Sequence, residues 1–509
     1  MGKIKVFLLS QLAAAVVSMS GAGLFMTAFA QERDVITVNP GSAPLTREQT
    51  KAMVEDAAEA FYRDDGLKAE LEAEIERRYE VIPSDDNGNE EWEFYTLTHG
   101  GKTMRFFMEI IGEPDGDGRY PLYIALHGGG GTAAEANNDQ WLDMFAYYQG
   151  AIERGIYLAC RGITDTWDLH FQEDSYPLYD RLIEAMTVNY GADPDRVYLL
   201  GFSAGGDGVY QIAPRLADRF AAANMSSGHP NGVSLLNLAN CPICLQVGIR
   251  DYYNEDVLRC VRAAEFEKTL SGYREEYGFG YDHRILLHVP EGHNFRDYED
   301  GACLVLKDPS RFADPEVYED LLNAFLDVLR NCGLGDSVEE LSYFLAGADW
   351  DFDDGISEAV AQKPGLETTR VNASAAGYVS QYTRSPAPEK IIWDLSTRAQ
   401  NREKDSFYWL EADPSVNRGT ITAVCDASSN TITVEPDAEV NGDFAILFHP
   451  SVVDVSRPVI LRTGSVTRTV QVYPSEEFLE DSMRENGDPY LGCVGKILYS
   501  EILSGDNTE

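Results

Sequence analysis

The chain has 509 residues, with 41 Lys+Arg against 84 Asp+Glu and a formal net charge of −43. Such a surface repels phosphate backbones, so no nucleic-acid partner is expected, and anionic membranes and polyanionic substrates are disfavoured for the same reason. Composition is otherwise that of a globular protein, 44% hydrophobic and 25% charged, and the length allows two or three domains.

Lys3 and Lys5 precede an apolar stretch, Val6 to Val17, and small residues lead to Ala28-Phe29-Ala30. This reads as a signal peptide over residues 1–30, so the remainder is expected to be exported, with no stable membrane insertion and a charge of −45. Residues 31–91 read as an acidic helical leader. The capping box Thr46-Arg-Glu-Gln49 starts a helix near residue 47, and helical patterning runs to Tyr79 with a break at Asp64-Asp65-Gly66.

Trp92–Thr98 and Thr103–Ile111 read as strands of a hairpin turning at His99-Gly-Gly-Lys102. From there the pattern alternates. Strands are expected at Tyr120–Leu126, Ile156–Cys160, Val197–Leu200, Ala221–Ser226, Leu245–Ile249 and Arg284–Val289. Helices are expected near 138–153, 176–190, 204–218, 255–275 and 315–331. Alternation of this kind predicts an α/β domain over 92–335, with a mostly parallel central sheet covered by helices.

Residues 336–385 read as an acidic connector. Its run Asp349-Trp-Asp-Phe-Asp-Asp-Gly355 starts like a calcium loop, but Asp354 and Val360 stand where Gly and Glu are needed, so no metal is expected. Residues 386–509 read as a small, mostly-β, sandwich-like domain. Its strands are expected at 390–395, 407–411, 420–425, 431–435, 444–448, 459–462, 466–472 and 497–500, with one helix near 475–485. It is expected to be separable from the chemistry. Of the eight cysteines, Cys425 and Cys493 are expected to pair with each other if the compartment is oxidising, and Cys241-Pro-Ile-Cys244 reads as cysteines leading into a strand.

The chemistry is expected in loops that follow strands. Gly201-Phe-Ser203-Ala-Gly205 lies between a strand and a helix, the setting of a nucleophile elbow, which makes Ser203 the candidate nucleophile. Its hydroxyl needs a base. His293, in Pro290-Glu-Gly-His-Asn-Phe295, follows the last strand of the alternating region, where an α/β sheet presents reactive groups. A carboxylate must then orient that His, and Asp251, first after the preceding strand, is favoured over Glu255 and Asp256. A rate that rises with pH through titration of this His, near 6.5 for an ordinary histidine, is expected. For the oxyanion, the expected donors are the backbone N–H of Ala204 and those of Gly129 and Gly130 in Leu126-His-Gly-Gly-Gly-Gly131. His127 is expected to brace that loop, while Trp167, His170 and His229 are candidates for the substrate pocket. No cofactor is expected.

These motifs carry a resemblance. Leu126-His-Gly-Gly-Gly130 and Asp195-Arg-Val-Tyr-Leu-Leu-Gly-Phe-Ser-Ala-Gly-Gly206 are similar to the oxyanion loop and elbow of secreted α/β-hydrolase esterases, the group of polyhydroxybutyrate depolymerases and feruloyl or acetylxylan esterases. Gly205-Gly-Asp-Gly-Val-Tyr-Gln211, Gly228-His-Pro-Asn231, Arg161-Gly-Ile-Thr-Asp-Thr-Trp167 and Gln381-Tyr-Thr-Arg-Ser-Pro-Ala-Pro388 resemble a narrower subgroup of such hydrolases. The acidic stretch near 335–365 and the cysteines depart from the group. The resemblance implies an α/β-hydrolase catalytic domain and hydrolysis of a small-molecule or polymer carboxylic ester through an acyl-enzyme on Ser203. A serine peptidase of the same fold and a non-catalytic extracellular binding protein are the alternatives.

Overall fold

The computed structural model describes residues 35–85, 91–229, 232–248, 251, 259–288, 291–297, 301–305, 368–399 and 401–505. The expected signal peptide, the helix near 315–331 and the acidic run 349–355 lie outside the described residues. Among the described residues no helix is long and apolar enough to cross a membrane.

The described chain opens on β1 (Ile36–Val38), α1 (Arg47–Arg63) and α2 (Asp65–Glu74). The capping box forms: Thr46 Oγ1 accepts the Gln49 N–H, and Gln49 Oε1 accepts the Thr46 N–H. Asp64 breaks the helix and caps α2 by accepting the N–H groups of Gly66 and Leu67. The helical leader then ends earlier than its pattern suggests. Residues expected to stay helical to Tyr79 form β2 (Ile75–Val81), paired antiparallel with β3 (Glu91–His99). The unpaired edge of β3 offers a ladder and cross-strand partners such as Glu93 for Arg77, and tertiary pairing of this kind overrides local helix propensity.

The alternating region follows as β4 (Lys102–Ile111), β5 (Tyr120–Leu126), α3 (Ala134–Tyr147), β6 (Gly155–Cys160), α4 (Ser175–Asn189), β7 (Ala192–Phe202), α5 (Ala204–Arg215), β8 (Ala222–Ser226), β9 (Ile243–Gly248), α6 (Arg259–Tyr277) and β10 (His283–His288). β11 (Gly301–Val305) and β12 (Thr368–Val371) complete an 11-stranded sheet in the order β12-β11-β10-β9-β8-β7-β5-β6-β4-β3-β2. Its centre, β6-β5-β7-β8-β9-β10, is wholly parallel. The flanking strands on both sides pair antiparallel. β6 and β9 are buried along their whole length, which is why they read as unbroken apolar runs rather than alternating ones. Strand order and direction from β3 to β10 are those of the α/β-hydrolase fold.

The C-terminal region contains α7 (Ala375–Val379), β13 (Lys390–Asp394), β14 (Ser406–Phe407), β15 (Leu410–Glu411), β16 (Thr420–Asp426), β17 (Thr431–Pro436), β18 (Ala445–Leu447), β19 (Val459–Thr463), β20 (Val466–Val472), α8 (Glu476–Asn486), β21 (Lys496–Leu498) and α9 (Tyr499–Ser504). The strand expected over 407–411 is instead a hairpin, because Tyr408 takes a left-handed φ of 55° and turns the chain. With β1, these strands form a six-stranded and a four-stranded sheet.

The C-terminal region is not set apart from the rest. β1, from the leader, is an edge strand of its larger sheet, paired parallel with β20. One apolar cluster runs from Leu199 and Ile212 of the large sheet and its helix to Trp409 and Ile446. Three buried arginines tie the two halves together. Arg384 forms ion pairs with Asp195 and Asp488, Arg219 with Asp180 and Asp488, and Arg402 with Asp180 and Asp218. Separability, inferred from the change of strand pattern, does not follow from this packing.

Cys425 and Cys493 are not bonded to each other. Among the described residues Cys160, Cys241, Cys425 and Cys493 are free thiols, and these four and Cys244 are buried. The Cys425 thiol donates to the Val452 carbonyl at 2.8 Å, and both cysteines fill the core as small apolar side chains.

His99, at the β3–β4 turn, links three parts of the chain. Its Nδ1 lies 3.1 Å from Glu74 and its Nε2 3.2 Å from Glu403. Burial opposes a charge on this ring, but the two carboxylates outweigh burial and raise its pKa above the ordinary 6.5. A raised value means that the pair stabilises the fold fully below about pH 6.5 and loses that contribution as pH climbs through the raised value. His99→Gln is therefore expected to lower the melting temperature more at pH 5 than at pH 9, as scanning calorimetry at the two pH values would show. An equal loss at both would contradict a charged His99.

Candidate active site

The loops singled out in the sequence meet at the C-terminal ends of β5, β7, β9 and β10. The chain passes from β5 to its neighbour β6, then returns across β5 to β7, so the β5 and β7 loops diverge and leave a crevice.

Ser203 follows β7 directly and α5 begins at the next residue. Its backbone is strained, with φ 56° and ψ −119°. The turn is held by the Ser203 N–H donating to the Ser226 carbonyl at 2.9 Å. Glycine is required beneath it, since a Cβ on Gly205 would stand 2.0 Å from the Leu126 carbonyl oxygen and one on Gly201 2.2 Å from that of Gly205. This close packing lifts the Ser203 side chain clear of the sheet, and the first N–H groups of α5 face the same space.

Ser203 Oγ lies 2.9 Å from His293 Nε2. His293 Nδ1 lies 3.0 Å from both carboxylate oxygens of Asp251. Asp251 is fully buried, whereas the His293 side chain is 35% exposed. The His293 carbonyl accepts a bond from Ser227 Oγ at 2.8 Å, and its ring lies 5.6 Å from that of Phe202. An imidazole held this way donates its Nδ1–H to the carboxylate and turns its Nε2 lone pair toward the hydroxyl, the tautomer a base needs. Glu255 and Asp256 lie outside the described residues.

Arg259 had no place in the sequence reading. Its Nη1 donates to Asp251 Oδ1 at 2.9 Å, and its backbone N–H donates to the Asp251 carbonyl at 3.2 Å. The first residue of α6 thus grips Asp251 by both side chain and main chain, and sequence order alone does not disclose it.

The oxyanion loop needs one correction. The Gly130 N–H donates to Asn137 Oδ1 at 2.8 Å, so this amide is already occupied. Gly129 has a φ of 95°, and a Cβ there would stand 2.3 Å from Asn137 Oδ1. Gly128 lies against the nucleophile, where a Cβ would be 3.2 Å from that of Ser203. His127 is buried beneath the loop; its Nε2 accepts the Gly162 N–H at 3.1 Å and burial drives its pKa well below 6.5, so it is a neutral brace.

The pocket candidates divide. His170 is fully buried and its Nε2 donates to the His127 carbonyl at 2.9 Å; burial pushes its pKa down to about 3. It supports the loop from within, because a side chain sealed from solvent cannot meet a substrate. The backbone N–H of His229 donates to Asp207 at 2.6 Å, which ties the β8 loop to the first turn of α5. Trp167 is 55% exposed, with its Cβ 3.8 Å from where a Cβ on Gly131 would stand. On the other side of Gly128 opens a cleft of about 470 Å³ whose walls include Gln140, Met144, Tyr147, Phe202 and Phe295, with Asp143, Glu291 and Arg296 at its polar parts. The Tyr147 and Phe202 rings lie 5.0 Å apart, and the Tyr147 hydroxyl bonds the Phe295 carbonyl. These aromatics sit on a helix, at a strand end and in a loop far apart in sequence, so no local motif marks them.

No protein-family model matches the chain. The probable feruloyl esterase C of Aspergillus terreus (strain NIH 2624 / FGSC A1156) is 28% identical over 140 residues, which is 26% of this chain and 50% of that protein. The chain therefore spans about half the length of this curated relative. Among solved structures, a thermostable esterase is 21% identical over 40% of this chain and 61% of its own, with a TM-score of 0.29. The acetyl xylan esterase from Aspergillus awamori is 12% identical over 41% of this chain and 81% of its own, with a TM-score of 0.26.

Proposed function

We propose that this protein is an exported serine hydrolase that cleaves a carboxylic ester through an acyl-enzyme on Ser203. The observation that carries the reading is the continuous chain of bonds from Ser203 Oγ to His293 and from His293 to buried Asp251. His293 Nε2 accepts the hydroxyl proton as Ser203 Oγ attacks the ester carbonyl. The N–H groups of Ala204 and Gly129 receive the oxyanion, and His293 returns its proton to the leaving alcohol. A water activated by the same imidazole then releases the acid. Export rests on the sequence of residues 1–30.

The cleft favours an aromatic acyl group. Tyr147, Phe202 and Phe295 offer edges and faces to a flat ring, and about 470 Å³ holds a phenylpropanoid with room to spare. Likeness to a probable feruloyl esterase points the same way. The test is a panel of nitrophenyl acetate, a feruloyl ester, acetylated xylan and an aminoacyl-anilide, with fluorophosphonate labelling of Ser203. Hydrolysis of esters with labelling at Ser203 is expected, fastest per unit KM for the aromatic acyl. Cleavage of the anilide alone would make the protein a peptidase.

Asp251→Asn should preserve shape but present the wrong His293 tautomer to Ser203. A fall of roughly 10³-fold or more in kcat on a nitrophenyl ester is expected. A folded Asp251→Asn protein within tenfold of the parent would remove Asp251 from this role.

A further inference from the structure

We infer that Asn137 is a positioning residue that decides which amide of the glycine loop faces the oxyanion, an inference that rests on the Ser203 reading above. Asn137 lies in the first turns of α3 and is fully buried, where the helix would ordinarily bury an apolar side chain. Its two amide atoms are fully committed. Oδ1 accepts the Gly130 N–H at 2.8 Å, and Nδ2 donates to Asp165 Oδ1 at 2.9 Å. This orientation is fixed by chemistry: an N–H can only donate and a carboxylate can only accept.

Asp165 is in turn held by Arg161, whose side chain is only 2% exposed. Arg161 also donates through Nε to Asn138 Oδ1 at 3.1 Å and through Nη1 to the carbonyls of Gly162 and Thr164. Burial would raise the Asp165 carboxyl, but the bonds from Arg161 and Asn137 outweigh it and hold the group below its ordinary range. The clamp therefore keeps its charge into mild acid. A charged strut, buried at Arg161 and Asn137 and open to solvent at Asp165, thus ends on a single backbone N–H of the glycine loop.

The consequence is directional. Four consecutive glycines are the least constrained backbone a chain can have, and their amides can rotate toward or away from Ser203 at small cost. Engaging the Gly130 N–H turns that amide to Asn137 and fixes the preceding peptide, leaving Gly129 as the loop's donor beside Ala204. Without the clamp the loop must be ordered at each turnover, and an oxyanion donor that is misplaced costs about as much as one that is missing.

Asn137→Ala is expected to lower kcat by about 10²-fold with KM changed less than threefold. The affinity for a trifluoromethyl ketone, whose adduct carries the oxyanion, should fall by the same factor as kcat/KM, because both report transition-state binding. Hydrogen exchange of the Gly130 amide should accelerate in the same variant. The combined change Asn137→Asp with Asp165→Asn keeps an acceptor for Gly130 and a donor between the two positions, and should recover most of the lost rate, whereas Asn137→Asp alone should not. A folded Asn137→Ala protein with undiminished kcat would overturn the inference, as would a loss of kcat with unchanged inhibitor affinity. Should Asn137→Ala fail to fold, failure of the combined exchange to recover the rate of Asn137→Asp would overturn it. Wrongness of the Ser203 reading is told apart by the parent protein, which would then neither bind the ketone nor lose activity as Ser203→Ala.

Discussion

Ser203→Ala is expected to reduce ester turnover by about 10⁴-fold or more in a protein that folds normally. Among the described residues the bonds that hold the elbow do not involve the hydroxyl. The elbow is held by the Ser203 N–H on the Ser226 carbonyl and by the close approach of Gly205 to Leu126, neither of which involves Oγ. Alanine meets the same left-handed strain at φ 56° as serine does, so melting temperature should shift little. What disappears is the atom placed 2.9 Å from His293 Nε2 to form the acyl bond. Circular dichroism, calorimetry and kcat on a nitrophenyl ester decide the matter. Near-parental turnover in the folded variant would end the assignment, and loss of fluorophosphonate labelling alongside turnover would support it.

A chain ending at residue 385 is expected to give no soluble, active protein. Truncation there removes Arg402 and Asp488, so Asp218 loses its arginine, while Asp180, Arg219 and Arg384 each lose one of two partners. Leaving a buried charge unpaired costs about 3–5 kcal/mol, against a total stability of about 5–15 kcal/mol for a typical domain. The cut also uncovers the apolar cluster that Trp409 and Ile446 share with the large sheet, and leaves β1 with no strand to pair. A milder form of the test is Asp488→Asn, expected to cost about 3 kcal/mol or more because Arg219 and Arg384 both lose their shared carboxylate. Burial opposes the charge on Asp488, but Arg384 and Arg219 outweigh it and lower its pKa, so this stabilisation is present above the ordinary carboxylate value and fades as pH falls through the lowered one. Expression, solubility and a denaturant titration check both variants. A monomeric truncated protein that hydrolyses a small ester would restore the idea of a separable catalytic unit.

Much of this was legible without coordinates. β5, β6, β7, β9 and β10 stand where apolar runs between turn residues put them, because strands buried on both faces leave an unmistakable composition. Ser203, Asp251 and His293 could be chosen from many acids and eight histidines because each follows a strand of a parallel sheet, and all such strands end on one side. What could be read, then, is whatever depends on near neighbours in the chain: periodicity, caps, glycine at a strained turn, and the order of loops.

Tertiary structure decided the rest, and for a common reason. β2 looked helical until β3 offered it a ladder, and β1 found its partner in β20 more than 400 residues away. Gly130 looked like an oxyanion donor by its place in a glycine run, yet a helix several residues on supplies an acceptor that takes its N–H. His170 looked like a pocket residue, but burial places it beneath the loop. Arg259 on Asp251, Tyr147 beside Phe202 and Asp488 between two arginines are contacts that no spacing encodes. Hydrogen bonds, ion pairs and desolvation act over a few ångströms, and which groups come that close is settled only when distant segments have packed.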